Sequence, residues 1–192
     1  MLYVFFGEDE FACQEALKAL QQDYWAEPAA GDFNRTVLDG RRITLGELRH
    51  HCDAIPFLAD RRLIIVEGLV TRLDGRERPR GDDEDEEESA GEDEGGTNGR
   101  LLDEVLDYLP RLPETTDLVL MDPGLKSKRS RGRIVRWARS QGERAVVREF
   151  DRLRDADLHQ WVRQRVKAAG GSIDRPAEAL LVRAVGDDTR TL

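Results

Sequence analysis

The sequence predicts an α/β protein: a parallel sheet flanked by helices, followed by a small helical domain. Three observations carry this. Short apolar runs at 2–6, 63–66, 118–121 and 145–150 alternate with stretches whose apolar residues recur every three or four positions. The first three runs are continuous, which marks strands buried on both faces, as in a parallel sheet. After Phe150 the strands stop and only helical patterns follow.

Each element has its own signal. The first run is closed by Gly7, and the helix after it carries Phe11, Ala12, Ala16, Leu17 and Leu20 on one stripe facing the sheet. Residues 36–38 make a weak strand. Thr44 with Glu47 three residues later forms a capping box, starting a helix through Leu45, Leu48 and Cys52 that Pro56 ends or kinks. Before the last strand lie a helix with Leu101, Leu102, Val105, Leu106 and Leu109 on one face, and a basic helix around Ile134, Val135 and Trp137.

Beyond the sheet, Asp155 can cap a helix striped by Leu158, Trp161, Val162 and Val166 and closed by Gly170 and Gly171. In the next helix Asp174 and Pro176 occupy the cap and first turn, Leu180, Leu181 and Ala184 the apolar face, and Gly186 the stop. Two helices and a stub bury little by themselves, so the chain is expected to be a piece of a longer protein.

Composition narrows the classes. At 192 residues and 39% hydrophobic, the chain can bury a sizeable core. No apolar run reaches the roughly 18 residues of a membrane span, and the start lacks a basic flank and a cleavage site, which points to the cytoplasm and away from membranes. Cys13 and Cys52 show no paired spacing, so they read as small buried side chains. The formal charge of -9 is uneven: residues 82–94 hold 10 of the 39 acidic residues and no basic ones, while the other 29 face 30 basic residues. Such a run repels itself, so about 76–98 is expected to be a disordered acidic insertion. A phosphate-mimicking surface would need order that its Gly and Ser interruptions oppose.

A strand, a glycine and a helix at the front of a parallel sheet is where a phosphate-binding loop belongs. That loop needs Gly-x-x-x-x-Gly-Lys-Ser/Thr, so that amides cradle the phosphates, the lysine meets their charge and the hydroxyl holds magnesium. Counted from Gly7, the last three places hold Ala12, Cys13 and Gln14. Glu8, Asp9 and Glu10 put three carboxylates where the anion would dock. The scaffold of a nucleotide-binding domain is present without the nucleotide chemistry, and no cofactor is expected.

Three blocks carry a family resemblance. Leu2-Tyr3-Val4-Phe5-Phe6-Gly7-Glu8-Asp9-Glu10-Phe11, followed by the Glu15-Ala16-Leu17 helix, resembles the opening of the delta subunit of bacterial DNA polymerase III. Ile55-Pro56-Phe57-Leu58-Ala59-Asp60-Arg61-Arg62 with the strand at Leu63 resembles the family's hydrophobic wedge and the serine- or aspartate-arginine pair after it. Val146-Val147-Arg148-Glu149-Phe150 with Leu158-His159-Gln160-Trp161-Val162 resembles its last sheet strand, linker and first lid helix. The order and spacing of the three carry the weight, and the acidic insertion departs from the pattern.

The resemblance implies an AAA+-like domain over 1–151 without a functional phosphate loop, and a partial helical lid over 152–192. It implies a clamp-loader delta subunit that binds the sliding clamp, the beta subunit of the polymerase, and opens its ring during DNA replication. Such a subunit joins delta prime and tau/gamma through a C-terminal collar domain absent from this sequence, and meets DNA in the full complex. It has no catalytic site of its own, although it belongs to a DNA-directed DNA polymerase, a nucleotidyltransferase. Phe57 and Leu58 would enter a pocket on the clamp, with Pro56, Arg61 and Arg62 beside them. Taken by themselves, Phe57 and Leu58 read as core residues packing the preceding helix. Arg61 and Arg62 read as orienting the segment, rimming the interface, or merely solvated. The resemblance turns the choice for Phe57 and Leu58 toward the wedge.

Two other functions compete. Lys126, Lys128, Arg129, Arg131, Arg133, Arg136 and Arg139 make 126–139 the most basic stretch, a candidate nucleic-acid-binding module, but they spread around a helix without forming one stripe. A divergent NTPase would use Glu67, at the end of the second strand, yet without a phosphate loop it has no substrate. His50, His51 and Cys52 are consecutive and point in different directions, against a metal site, and His159 shows no catalytic companion.

Overall fold

The computed structural model describes residues 1–24, 33–74, 92–125, 132–152 and 155–185. Five strands, β1 (Leu2–Gly7), β2 (Arg35–Asp39), β3 (Arg62–Glu67), β4 (Thr116–Pro123) and β5 (Ala145–Glu149), form one parallel sheet in the order β2-β3-β4-β1-β5. Seven described helices follow the strands: α1 (Glu10–Tyr24), α2 (Leu45–Asp53), α3 (Leu69–Asp74), α4 (Glu92–Tyr108), α5 (Arg133–Ser140), α6 (Asp155–Ala168) and α7 (Arg175–Val185). This is the predicted α/β layering with the helical pair at the end.

The pleat sorts the core. Leu2, Val4 and Phe6 of β1 face one side of the sheet with Ile64, Val66, Leu118 and Leu120, and there α2, α3, α4 and α5 supply Leu48, Val70, Val105 and Ile134. Phe5 faces the other side with Leu63, Ile65, Val119 and Met121, which Cys13, Ala16 and Leu17 of α1 cover. Both cysteines are free and buried, as expected, and burial pushes each thiol up to about 12. β2 reads weakly because it is an edge strand, with exposed and half-buried residues alternating.

Several helix starts are tied down from far away in the chain. The Asp122 carboxylate, at the end of β4, accepts from the amides of Val70 (3.0 Å) and Thr71 (2.8 Å) and caps α3. Asp74 does the same for α5 through Arg133 (2.9 Å) and Ile134 (3.0 Å). Burial pushes both carboxyls above their ordinary values, against the amide bonds that pull them down.

The structure corrects three expectations. The acidic insertion was expected to run to about residue 98, but α4 begins at Glu92, so 92–98 is helical; 75–91 lies outside the described residues. The short helix α3, directly after Gly68, is an element the sequence did not announce. In the helical pair, Leu180 is exposed where an apolar face was expected, and the buried side chain is Glu178. Glu178 accepts from Arg163 (2.7 Å) and lies 2.8 Å from His159 Nδ1, which gives His159 the carboxylate companion that the sequence did not reveal. Leu158 and Val162 are buried as predicted, and Gly170 closes α6 at φ 79°. The pair is joined to the body where Arg165 of α6 meets Glu15 of α1 and lies over the rings of Phe11 and Trp161.

Candidate interaction site

The site begins with α2. Its capping box forms as predicted: Thr44 Oγ1 accepts from the Glu47 amide (3.2 Å), and the Glu47 carboxylate accepts from the Thr44 amide (2.9 Å). The helix ends at Asp53 because Pro56 disfavours helical backbone at Ile55. Two bonds fix that end. The Tyr108 hydroxyl donates to Asp53 (2.6 Å), and the Thr116 hydroxyl donates to the Cys52 carbonyl (2.7 Å), holding α2 against α4 and β4.

The chain then crosses 54–61 to reach β3, and this loop is held at both sides. Asn34, buried just before β2, donates from its amide nitrogen to the Phe57 carbonyl (2.7 Å), and its side-chain oxygen accepts from the Phe57 amide (2.6 Å). Arg61 donates to the fully buried Asp117 at the start of β4 (2.7 Å), an oxygen that also lies 3.0 Å from the Met1 ammonium. Arg61 is therefore a brace for the loop, which replaces the reading of a solvated, partnerless arginine. Arg62 opens β3, half-buried, with its amide donating to the Thr115 carbonyl (2.9 Å).

A loop fixed in this way nevertheless turns its largest apolar side chains outward. Phe57 is 59% exposed, Leu58 84% and Ile55 90%, with Pro56 half-buried among them. The preference for core packing that holds for most apolar residues does not apply to Phe57 and Leu58. Phe33, 73% exposed, meets the Phe57 ring edge-on at 5.9 Å. Leu58 also sits at φ 50°, a left-handed conformation that costs a residue with a Cβ about 1–2 kcal/mol. Strained backbone and exposed apolar side chains coincide on one fixed loop, the combination expected of a binding surface. Ile55, Phe33 and Asn34 were not legible as site residues. The partner of Asn34 lies 23 residues away, and no local pattern announces such a bond.

The other candidates look different. At the carboxyl ends of β1 and β4, where connections diverge to opposite edges and ligands of open α/β sheets dock, the space is taken by the chain's own bonds. Gly124 donates to the Gly7 carbonyl (2.6 Å) and the Asp9 amide to the Phe150 carbonyl (2.9 Å). Asp9 is buried and its carboxylate accepts from the Ala12 amide (2.9 Å), so the α1 N-terminus already holds an anion. Glu67 is an exposed carboxylate at a strand end. On α5, Arg133 pairs with Asp103 (2.6 Å) and Arg139 with Glu149 (3.0 Å), while 126–131 lies outside the described residues. Among the described residues no group of three His, Cys, Asp or Glu is placed to hold a metal ion, and no helix is long and apolar enough to cross a membrane.

Comparison with known proteins now bears on this geometry. The family described as DNA polymerase III, delta subunit, matches residues 3–87, a stretch that contains most of β1, all of α1 and the whole exposed loop. No curated protein matches in sequence. Among solved structures, the Bacillus subtilis DNA clamp loader delta protein superposes with a TM-score of 0.68 at 18% identity, covering 99% of this chain and 50% of that one. A DNA polymerase III gamma subunit-related protein from Thermotoga maritima gives 0.48 at 13%, covering 99% and 50%. The chain thus spans about half the length of the solved delta protein. Residues 3–87 thus resemble the delta family in sequence, and nearly the whole chain shares the fold of the solved delta protein.

Proposed function

We propose that this chain binds the sliding clamp through Phe57 and Leu58 and opens its ring in DNA replication, without nucleotide chemistry of its own. The observation that carries the reading is the pair of exposed apolar side chains on a loop braced by Asn34 and by Asp117 of β4, inside the stretch that matches the delta family. Burying two such side chains in a pocket contributes on the order of 1.5–3 kcal/mol each. A loop already ordered loses little further entropy on docking, so most of that contribution is kept. Pro56 sets the direction of the turn, Arg61 braces it against Asp117, and Arg62 starts the strand behind it. Opening follows if the pair binds the open ring better than the closed one, because a ligand shifts an equilibrium only by its differential affinity.

In the full assembly the chain works in the cytoplasm with the other loader subunits, delta prime and tau/gamma, and meets DNA in the complex. The nucleic-acid-binding reading is weaker, because Arg133 and Arg139 spend their charge on Asp103 and Glu149. The NTPase reading is weaker still, because Asp9 occupies the anion position at α1.

Release of a closed clamp from circular DNA tests the proposal. Added without ATP to clamp rings loaded on nicked circular plasmid, the chain is expected to raise the rate of clamp loss at least about tenfold, which corresponds to about 1.4 kcal/mol off the barrier. A rate equal to that of spontaneous loss overturns ring opening.

A further inference from the structure

The direction in which the Phe57 side chain leaves the backbone is set by the two peptide groups that flank it, and Asn34 holds both. The side-chain amide donates to the Phe57 carbonyl at 2.7 Å and accepts from the Phe57 amide at 2.6 Å, the pairing that a neighbouring strand would otherwise supply. Asn34 is itself immobilised: it is 1% exposed, and its carbonyl accepts from the Leu63 amide at 2.8 Å where β3 begins beside β2. The clamped peptide is followed at once by Leu58 in its left-handed conformation, which sends Phe57 and Leu58 outward together. Phe33, adjacent to Asn34, sets its ring edge-on to Phe57 from the solvent side.

Resting on the clamp-binding reading, we infer that Asn34 is a positioning residue for the wedge and that Phe33 widens the surface as its third apolar anchor. Asn34 does not touch the partner; it keeps the exposed pair from relaxing onto the protein. Phe33 touches the rim of the same apolar pocket and props the Phe57 ring. The role needs a donor and an acceptor on one side chain: aspartate lacks the donor for the Phe57 carbonyl, and alanine lacks both.

The experiment compares the wild-type chain with Asn34→Ala, Phe33→Ala and Phe57→Ala/Leu58→Ala, measuring affinity for the purified cognate clamp by calorimetry. Amide hydrogen exchange of each free protein is measured alongside. Asn34→Ala is expected to weaken binding about tenfold and to release the Phe57 amide to fast exchange, while the amides of β2 and β3 keep their protection. Phe33→Ala is expected to weaken binding about threefold to tenfold with the Phe57 amide still protected. Wild-type affinity in Asn34→Ala with a freely exchanging Phe57 amide overturns the positioning role. Should Asn34→Ala lose protection throughout the sheet, Phe33→Ala decides alone, and its wild-type affinity overturns the proposal. If the Phe57/Leu58 double variant binds like wild type, the underlying reading fails instead, which separates the two.

Discussion

Phe57→Ala combined with Leu58→Ala is expected to abolish measurable binding to the cognate sliding clamp while the thermal unfolding midpoint stays where it is. Both halves of the expectation come from exposure. At 59% and 84% exposed, the two side chains contribute little to the core, and surface substitutions of this kind usually change stability by less than about 0.5 kcal/mol. Their loss to a docked pocket removes about 3–6 kcal/mol of burial, a weakening of two to four orders of magnitude. The replacement of Leu58 also relieves nothing that would offset this, because alanine at φ 50° meets the same backbone restriction. Circular dichroism and calorimetry on one preparation decide it: a folded double variant with wild-type affinity would contradict the assignment of the wedge.

Gly7→Ala is expected to damage the fold severely. A Cβ on Gly7 would stand 2.1 Å from the Phe150 carbonyl oxygen, and φ there is 141°, a conformation that side chains rarely adopt. Neither neighbour can yield cheaply. The same carbonyl accepts from the Asp9 amide, and the Phe150 amide donates to the Phe6 carbonyl at 2.8 Å, so pushing Phe150 away undoes the junction of β1, α1 and β5. A loss of about 3 kcal/mol or more follows from strain and broken bonds together, and in a chain of this size that lowers the midpoint by roughly 6–12 °C. A scan with the midpoint within a degree or two of wild type would show that this turn is softer than its packing implies.

How much of this the sequence disclosed depends on how local each cause is. β1, β3 and β4 are buried on both faces, so their apolar runs are unbroken and readable; β2 lies at the edge, and its alternation over five residues left only a weak trace. The capping box of α2 and the glycine stop of α6 are fixed by neighbours within five residues, and both form as expected. The starts of α3 and α5 are fixed by Asp122 and Asp74, more than fifty residues away in each case, and no sequence window contains both partners. The first turns of α4 are written in Glu, Asp and Gly, which read as solvated chain although the helix continues into the buried Leu101, Leu102 and Val105. At the site, periodicity alone places Phe57 and Leu58 in the core. The family resemblance turned that choice outward, and the braces that hold them there, Asn34 and Arg61, become visible only when β2, β3 and β4 are brought side by side.

The most direct measurement is a contact map of Leu58 itself. With photoreactive benzoylphenylalanine in place of Leu58, the chain is irradiated together with the cognate clamp and the adduct is located by mass spectrometry. Adducts confined to one apolar pocket beside the clamp's subunit interface are the predicted result. Adducts scattered over the clamp surface, or none at a concentration where the proteins are shown to associate, would contradict the assignment.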